Sequence, residues 1–115
     1  MARTSDLDGV FDALADPTRR RIVELLRRRP HRAGELTERL STTAPTMSRH
    51  LRVLLERGIV VDERPAHDAR LRLFHLNPKP FASLTAWADQ MQAHWNEQLG
   101  SFRKHVEKTA KGRRM

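Results

Sequence analysis

A run of three hydroxyl residues ahead of a two-faced segment constrains this chain more than any other feature. Ser41, Thr42 and Thr43 favour a turn, and Thr43 is a suitable N-cap for a following helix. Pro45 then falls in the first helical turn, where its missing N–H costs little. Gly58 is typical of a helix C-terminus because it adopts positive φ without strain. The sequence therefore predicts a helix that begins immediately after a tight turn and ends at a glycine.

This helix has an apolar face and a polar face. The apolar face recurs at helical spacing and consists of Met47, Leu51, Leu54 and Leu55. The opposite face carries short hydroxyl side chains and arginines, the residue types that contact base edges and phosphates in duplex DNA. An ordinary solvated helix face is the alternative interpretation. The candidate DNA contacts on this face are Thr43, Ala44, Thr46, Ser48, Arg49 and Arg52.

Three helices are predicted ahead of the turn. The first covers residues 5–15, and its apolar stripe consists of Leu7, Val10, Phe11 and Leu14. Asp16 and Pro17 provide an N-cap and a first-turn proline for a second helix, which should end before Pro30. A short third helix is expected over residues 33–40. Thr18 and Arg19 lie near the start of the second helix, where side chains and amides can contact backbone phosphates.

A β-hairpin is predicted after the two-faced helix. Residues 59–61 are β-branched and lead into the charged residues 62–64, and residues 70–73 alternate between arginine and leucine. The five residues 65–69 form the tip between the two segments. The alternation slips at residues 74–76, where a bulge or a change of buried face is expected. Arg70, flanked by Arg64 and Arg72, is a candidate contact to a minor groove or its phosphates. A charged hairpin that protects its edge from aggregation is the alternative.

A long helix is predicted over residues 80–108, because Pro78 and Pro80 interrupt the chain just before an apolar stripe. The mean spacing of about 3.7 residues is that of an ordinary helix rather than a left-handed coiled coil. The stripe consists of Leu84, Ala88, Met91, Trp95, Leu99, Phe102 and Val106, and Trp87 widens it. Residues 109–115 lack an apolar pattern, so a disordered basic tail is expected there.

This order of elements is that of a winged helix-turn-helix, a mainly α fold with a two-stranded β-hairpin. The 115 residues are sufficient for one domain and too few for two. The single domain is expected to contain a helix-turn-helix at 33–57 and a wing hairpin at 59–76. Lys and Arg number 22 against 14 Asp and Glu, a net charge of +8. This excess favours a polyanionic partner, either nucleic acid or an acidic membrane surface.

Several classes of protein are excluded by what the sequence lacks. Without cysteine there is no disulfide framework, zinc ribbon or thiol nucleophile. No stretch approaches the ~20 apolar residues that span a bilayer, and the N-terminal residues do not resemble a signal peptide. We therefore expect a cytoplasmic protein at the nucleoid. The sequence has no Gly-rich phosphate loop before a helix and no arrangement of Ser, His and Asp typical of an enzyme. We therefore expect neither catalysis nor a cofactor.

Three segments resemble the ArsR/SmtB family of winged-helix repressors. They are residues 13–26 (ALADPTRRRIVELL), residues 34–36 with 45–54 (GEL and PTMSRHLRVL), and residues 58–60 (GIV). The resemblance covers about residues 7 to 100. It implies a homodimer that pairs through its first and last helices, binds an inverted repeat in the bacterial chromosome and blocks transcription. It also implies that Ser48, Arg49 and His50 face the groove and that Arg70 is the wing arginine.

The metal sites of that family are not matched. Where many members have cysteines at the start of the third helix, this chain has Arg32, Gly34 and Thr37. His94 and Glu97 have the spacing of one half of another family site, but no Asp-x-His pair precedes them. The chain is therefore similar to a branch of the family without metal ligands, and we expect no metal.

The dimer interface expected from the first and last helices consists of Leu7, Phe11, Leu84, Trp87, Met91, Trp95, Leu99 and Phe102. Trp87 and Trp95 have two interpretations. They supply buried area between subunits, which is favoured, or they line a pocket for an unidentified small-molecule inducer. The alternative function for the whole chain is a basic adaptor that binds RNA or an acidic protein without reading sequence. The aromatic sheet of many RNA binders is missing, because most Phe and Trp lie on predicted helices.

Overall fold

The computed structural model describes residues 4–113. Within them the chain forms five helices and one antiparallel hairpin, the predicted mainly α architecture. The elements are α1 (Thr4–Leu14), α2 (Pro17–Arg28), α3 (Ala33–Arg39), α4 (Ala44–Glu56), β1 (Val60–Glu63), β2 (Leu73–Leu76) and α5 (Pro78–Arg113). The chain divides into two compact units between Ser83 and Leu84.

The core of the first unit draws on α1 to α4 and on both strands. Its fully buried side chains include Ile22 of α2, Leu36 of α3 and Leu54 of α4. Val60 and Phe74 close the core from the hairpin side. The predicted apolar face of α4 is confirmed, because Met47, Leu51 and Leu54 are all buried. Leu55 is partly buried and packs against the same cluster.

The turn between α3 and α4 is tight. The Ser41 N–H donates to the Glu38 carbonyl at 3.2 Å and the Thr42 N–H donates to the Thr37 carbonyl at 3.1 Å. Ser41 has φ +49°, a left-handed conformation that few residues other than glycine adopt. The predicted turn is therefore confirmed, and it brings α4 back against α3.

The hairpin strands lie further along the chain than the alternating pattern indicates. β2 begins at Leu73, so the prediction of a strand over residues 70–73 is wrong except at its end. The physical reason is Asp68, whose side chain accepts the Arg70 N–H at 3.0 Å and whose carbonyl accepts the Leu71 N–H at 3.1 Å. These two hydrogen bonds hold a turn, and they engage backbone N–H groups that could otherwise pair with the neighbouring strand. Residues 74–76 are regular strand, with Phe74 opposite Asp62.

The last helix begins at Pro78 and continues to Arg113, so the disordered tail expected from residue 109 is wrong for residues 109–113. Residues 114 and 115 lie outside the described part of the chain. Alanine, lysine and glutamate near this end are strong helix formers, and propensity extends the helix without an apolar pattern. None of the helices within residues 4–113 has the length and hydrophobicity of a transmembrane segment.

Gly58 ends α4 with φ +70°, a conformation that an L side chain adopts only at a cost. A Cβ at Gly58 would meet no atom within 4 Å, and the same is true at Gly34 in α3, where φ is negative or extended. We expect Gly58→Ala to lower the free energy of unfolding by about 1 kcal/mol through backbone strain alone. Gly34→Ala should instead raise it, by up to about 1 kcal/mol.

Urea unfolding at one fixed protein concentration measures both changes. Because space is open at both positions, equal effects for the two variants would contradict a conformational role for Gly58.

Candidate nucleic-acid interface

The N-terminus of α4 is capped as the sequence predicts. The Thr43 Oγ1 accepts the Thr46 N–H at 3.4 Å and donates to the Thr46 Oγ1 at 2.9 Å. Pro45 lies in the first turn, which holds no acidic residue. A helix N-terminus with hydroxyls and without carboxylates has a positive partial charge, which attracts anions.

The outer face of α4 is open to solvent, whereas its opposite face is buried in the core. Ser48, Arg49 and Arg52 are exposed, as are Thr43 and Ala44 at the start of the helix. Thr46 and His50 are half-buried. The Arg49 Nη2 lies 3.4 Å from the Thr46 Oγ1, so its guanidinium extends along the helix surface. The structure thus brings the predicted hydroxyls and arginines of α4 onto one accessible side.

Asp16 organises the start of α2. Its carboxylate accepts the Arg19 N–H at 3.1 Å, the N-cap that the sequence predicts. Desolvation raises the pKa of Asp16, but the backbone hydrogen bond from Arg19, the charge of His50 and the backbone hydrogen bond from Thr18 together lower it more, so the net pKa lies below its usual range. Thr18 is half-buried beside this cap.

Arg19 has several partners within the chain. Its Nε donates to the Ala13 carbonyl at 2.6 Å and its Nη2 to the Asp12 carbonyl at 3.5 Å, so it caps the last turn of α1. Its Nη1 lies 3.4 Å from the Nδ1 of His50 on α4. The structure therefore brings Arg19 and His50 together, a pairing across 31 positions that no sequence pattern indicates.

The wing, residues 59–76, is braced by its own charged side chains. Arg72 donates from Nε to the Asp62 Oδ2 at 2.7 Å, and its guanidinium lies 4.8 Å from the centre of the Phe74 ring. The hydrogen bond from Arg72 holds the pKa of Asp62 below its ordinary value. Arg70 differs, because 93% of its side chain is exposed at the tip, where it contacts Asp68 at 3.3 Å.

One structural residue was missed by the sequence reasoning. His31 is 3% exposed and exchanges both backbone hydrogen bonds with Phe74, N–H to carbonyl at 3.1 Å and carbonyl to N–H at 2.8 Å. Its Nδ1 lies 2.8 Å from the Arg29 carbonyl. His31 thereby ties the α2–α3 connection to β2 and sets the position of the wing. A single bridging residue after a proline has no periodicity by which to find it.

A second surface lies on α5 within the second unit. The apolar stripe predicted for this helix includes exposed side chains, with Trp95 59% and Phe102 67% accessible. The other exposed members are Trp87, Met91, Leu99 and Val106. Leu84 and, on α1, Leu7 are half-buried, and Phe11 is 38% exposed. Exposed apolar patches of this extent mark interaction surfaces.

Comparisons with known proteins agree with this geometry. The family described as "Helix-turn-helix domain" matches residues 14–63, which contain α2 to β1. The chain is 36% identical over 100 residues to the HTH-type transcriptional regulator Rv2034 of Mycobacterium tuberculosis, covering 87% of this chain and 88% of that one. A crystal structure of an ArsR family transcriptional regulator superposes with a TM-score of 0.72 at 31% identity, covering 84% of this chain and 97% of that one. The chain belongs to the ArsR family of winged helix-turn-helix transcriptional regulators.

A shorter match is to the transcriptional repressor SdpR of Bacillus subtilis, at 36% identity over 58 residues, covering 50% of this chain and 64% of SdpR. Membership of the ArsR family confirms the winged helix-turn-helix fold class and the assignment as a transcriptional regulator. Both relatives are described as transcriptional regulators. Within residues 4–113, no three His, Asp or Glu side chains converge as a metal site would require.

The lowered pKa of Asp16 makes a prediction about acid stability. A group whose pKa falls on folding contributes stability above the ordinary aspartate pKa of about 4 and loses that contribution as the pH drops through its folded value. Asp16→Asn keeps a capping side chain but removes the charge. We therefore expect urea unfolding from neutral to acidic pH to show a flatter acid limb for Asp16→Asn than for the wild type.

Asp16→Ala removes the cap as well and should cost about 1 kcal/mol even at neutral pH. An Asp16→Asn variant whose acid limb matches the wild type would rule out this role for the carboxylate.

Proposed function

We propose that this ArsR family protein is a homodimeric repressor that acts in the cytoplasm on an inverted-repeat operator in double-stranded DNA. The observation that carries the proposal is the outer face of α4, where Ser48, Arg49 and Arg52 are exposed and the opposite apolar face is buried. Such a helix can enter a major groove without disturbing its scaffold. Donor side chains on this face match the acceptors that guanine, thymine and phosphate present.

The proposed contacts have two roles. Arg49 and Ser48 read base edges from the middle of α4, while hydroxyls at its N-terminus and Arg70 on the wing bind phosphates or the minor groove. The net charge of +8 adds a sequence-independent attraction that should fall with salt. The full set comprises Thr18, Arg19, Thr43, Ala44, Thr46, Ser48, Arg49, His50, Arg52 and Arg70.

A homodimer is supported by the apolar stripe on α5. Tryptophan, methionine, leucine and phenylalanine together offer a surface that water does not favour, and self-association buries it. Two copies of α4 related by a two-fold axis would enter successive major grooves about 34–36 Å apart, which requires an operator with matching symmetry. The proposed interface residues are Leu7, Phe11, Leu84, Trp87, Met91, Trp95, Leu99 and Phe102.

We also propose that metal does not control this protein. The chain has no cysteine, and Arg32, Gly34 and Thr37 stand where thiolate ligands would be expected at the third helix. His94 and Glu97 match one half of a family metal site, but no Asp-x-His pair precedes them to supply the other half.

Arg49→Ala tests the reading face. We expect it to weaken operator binding by about 1–3 kcal/mol and to reduce discrimination between the operator and a scrambled duplex, because a base contact is lost. The measurement is fluorescence anisotropy with both duplexes, repeated at several salt concentrations.

Arg27→Ala is the matched control, since Arg27 is also exposed but lies on α2, where it shares a surface depression with Glu24 and Leu40 and with no residue of α4. A larger loss for Arg27→Ala than for Arg49→Ala would show that the reading face is assigned wrongly. Equal binding of operator and scrambled duplex by the wild type would favour a basic adaptor that does not read sequence.

Trp95→Glu tests the dimer. A carboxylate in the centre of the α5 stripe should leave the protein monomeric at micromolar concentration, because burying an unpaired charge is costly. Ala93→Glu adds the same charge two residues away, about 200° around the helix, and should remain dimeric. Sedimentation velocity distinguishes these outcomes. If both variants sediment as the wild type does, the stripe is not the interface.

A further inference from the structure

We infer that Arg19 holds His50 in the tautomer that carries its proton on Nε2, so that His50 offers a fixed N–H donor to DNA. This inference rests on the proposed function, since it assigns a role to a residue on the proposed reading face. It gives Arg19, one of the residues proposed for the interface, the role of a positioning residue that acts through His50.

The guanidinium of Arg19 is anchored independently of His50. The Ala13 carbonyl accepts a hydrogen bond from the Arg19 Nε at 2.6 Å, and the Asp12 carbonyl accepts one from its Nη2 at 3.5 Å. The backbone of Arg19 is also held, because Asp16 accepts its N–H at 3.1 Å. The last turn of α1 and the first turn of α2 therefore determine where the third nitrogen, Nη1, is placed.

That third nitrogen lies 3.4 Å from the Nδ1 of His50. A guanidinium has N–H donors and no acceptor, so the contact is favourable only when Nδ1 is unprotonated. A neutral imidazole carries one proton, and with Nδ1 accepting, that proton is on Nε2. The contact between Arg19 and Nδ1 therefore determines that Nε2 carries the proton and acts as a hydrogen-bond donor.

The Nε2 of His50 is available to an external acceptor. No hydrogen bond joins it to the described part of the chain. His50 is half-buried, yet none of its side-chain nitrogens is both sealed from solvent and without a partner. An Nε2–H that reaches solvent suits acceptors on DNA, namely phosphate oxygens, guanine N7 and O6, or thymine O4.

This assignment adds one hydrogen-bond donor to the proposed DNA contacts of α4. Arg49 and Arg52 have only donors, and His50 in this tautomer contributes another at the position that follows Arg49. The opposite tautomer would present a lone pair instead, which phosphate oxygens repel. Arg19 thus excludes the form of His50 that would oppose binding to the backbone.

Nitrogen-15 NMR of the histidine ring, recorded on the free protein at alkaline pH where imidazoles are neutral, measures the tautomer directly. His50→Gln identifies the His50 signals by their disappearance. We expect the wild type to show a single tautomer with the proton on Nε2, and Arg19→Gln to shift both ring nitrogens toward values averaged over exchanging tautomers.

Arg20→Gln is the matched control. Arg20 also donates to carbonyls at the end of α1, Leu14 at 2.7 Å and Ala15 at 3.0 Å, and no hydrogen bond joins it to His50. It should therefore keep the wild-type tautomer. A wild-type His50 protonated on Nδ1 would overturn the inference. Identical His50 signals in the wild type, Arg19→Gln and Arg20→Gln would also overturn it.

Operator binding tests the donor itself. Glutamine places its amide nitrogen near the position of Nε2, whereas asparagine places it near Nδ1. We expect His50→Asn to bind the operator about tenfold more weakly than His50→Gln, because only glutamine keeps a donor near Nε2 and the loss of one hydrogen bond of ~1.4 kcal/mol is a tenfold change.

Equal binding by the two His50 variants would overturn the donor role. If the wild type binds no duplex, the proposed function fails and the donor role fails with it, while the NMR result still decides the tautomer. The two failures are therefore distinguishable.

Discussion

The burial of one face of α4 is the interaction on which the rest of this protein depends. Met47, Leu51 and Leu54 are held in the core by α2, α3 and the wing, and each is at most 3% exposed. Close packing of these side chains fixes the rotation of the helix about its axis. The hydroxyls and guanidiniums on the other side are then presented to solvent in one orientation, which is what reading a groove requires.

The ends of α1 and α2 add a second constraint on the same helix. Arg19 shares its donors between the last carbonyls of α1 and His50 of α4, so three elements meet at one guanidinium. Asp16 supports this arrangement by capping α2. A side chain with only donors and a planar fork is well suited to this task, whereas a lysine ammonium would act as a point charge without directing a ring nitrogen. In this protein the arginine content therefore serves internal order as well as attraction to a polyanion.

The wing shows how local chemistry overrides a sequence pattern. Alternation of arginine and leucine over residues 70–73 favours a strand. Asp68 instead accepts hydrogen bonds from the backbone N–H groups of Arg70 and Leu71, and these bonds hold a turn. The ladder instead forms at residues 73–76, and His31, which belongs to neither strand, pairs with Phe74 of β2. Arg70 is thereby left at the tip of a loop rather than within a strand, with nearly all of its side chain in solvent.

The sequence by itself determined the features that depend on near neighbours. Thr43 and Asp16 cap the helices that follow them, Gly58 ends α4, and the apolar repeats locate the faces of α4 and α5, because caps and periodicity act over one or two turns. The tertiary structure alone decided the bridge from His31 to β2 and the contact between Arg19 and His50. Each of these joins residues far apart in the chain, and their approach is set by how complete elements pack rather than by any local preference.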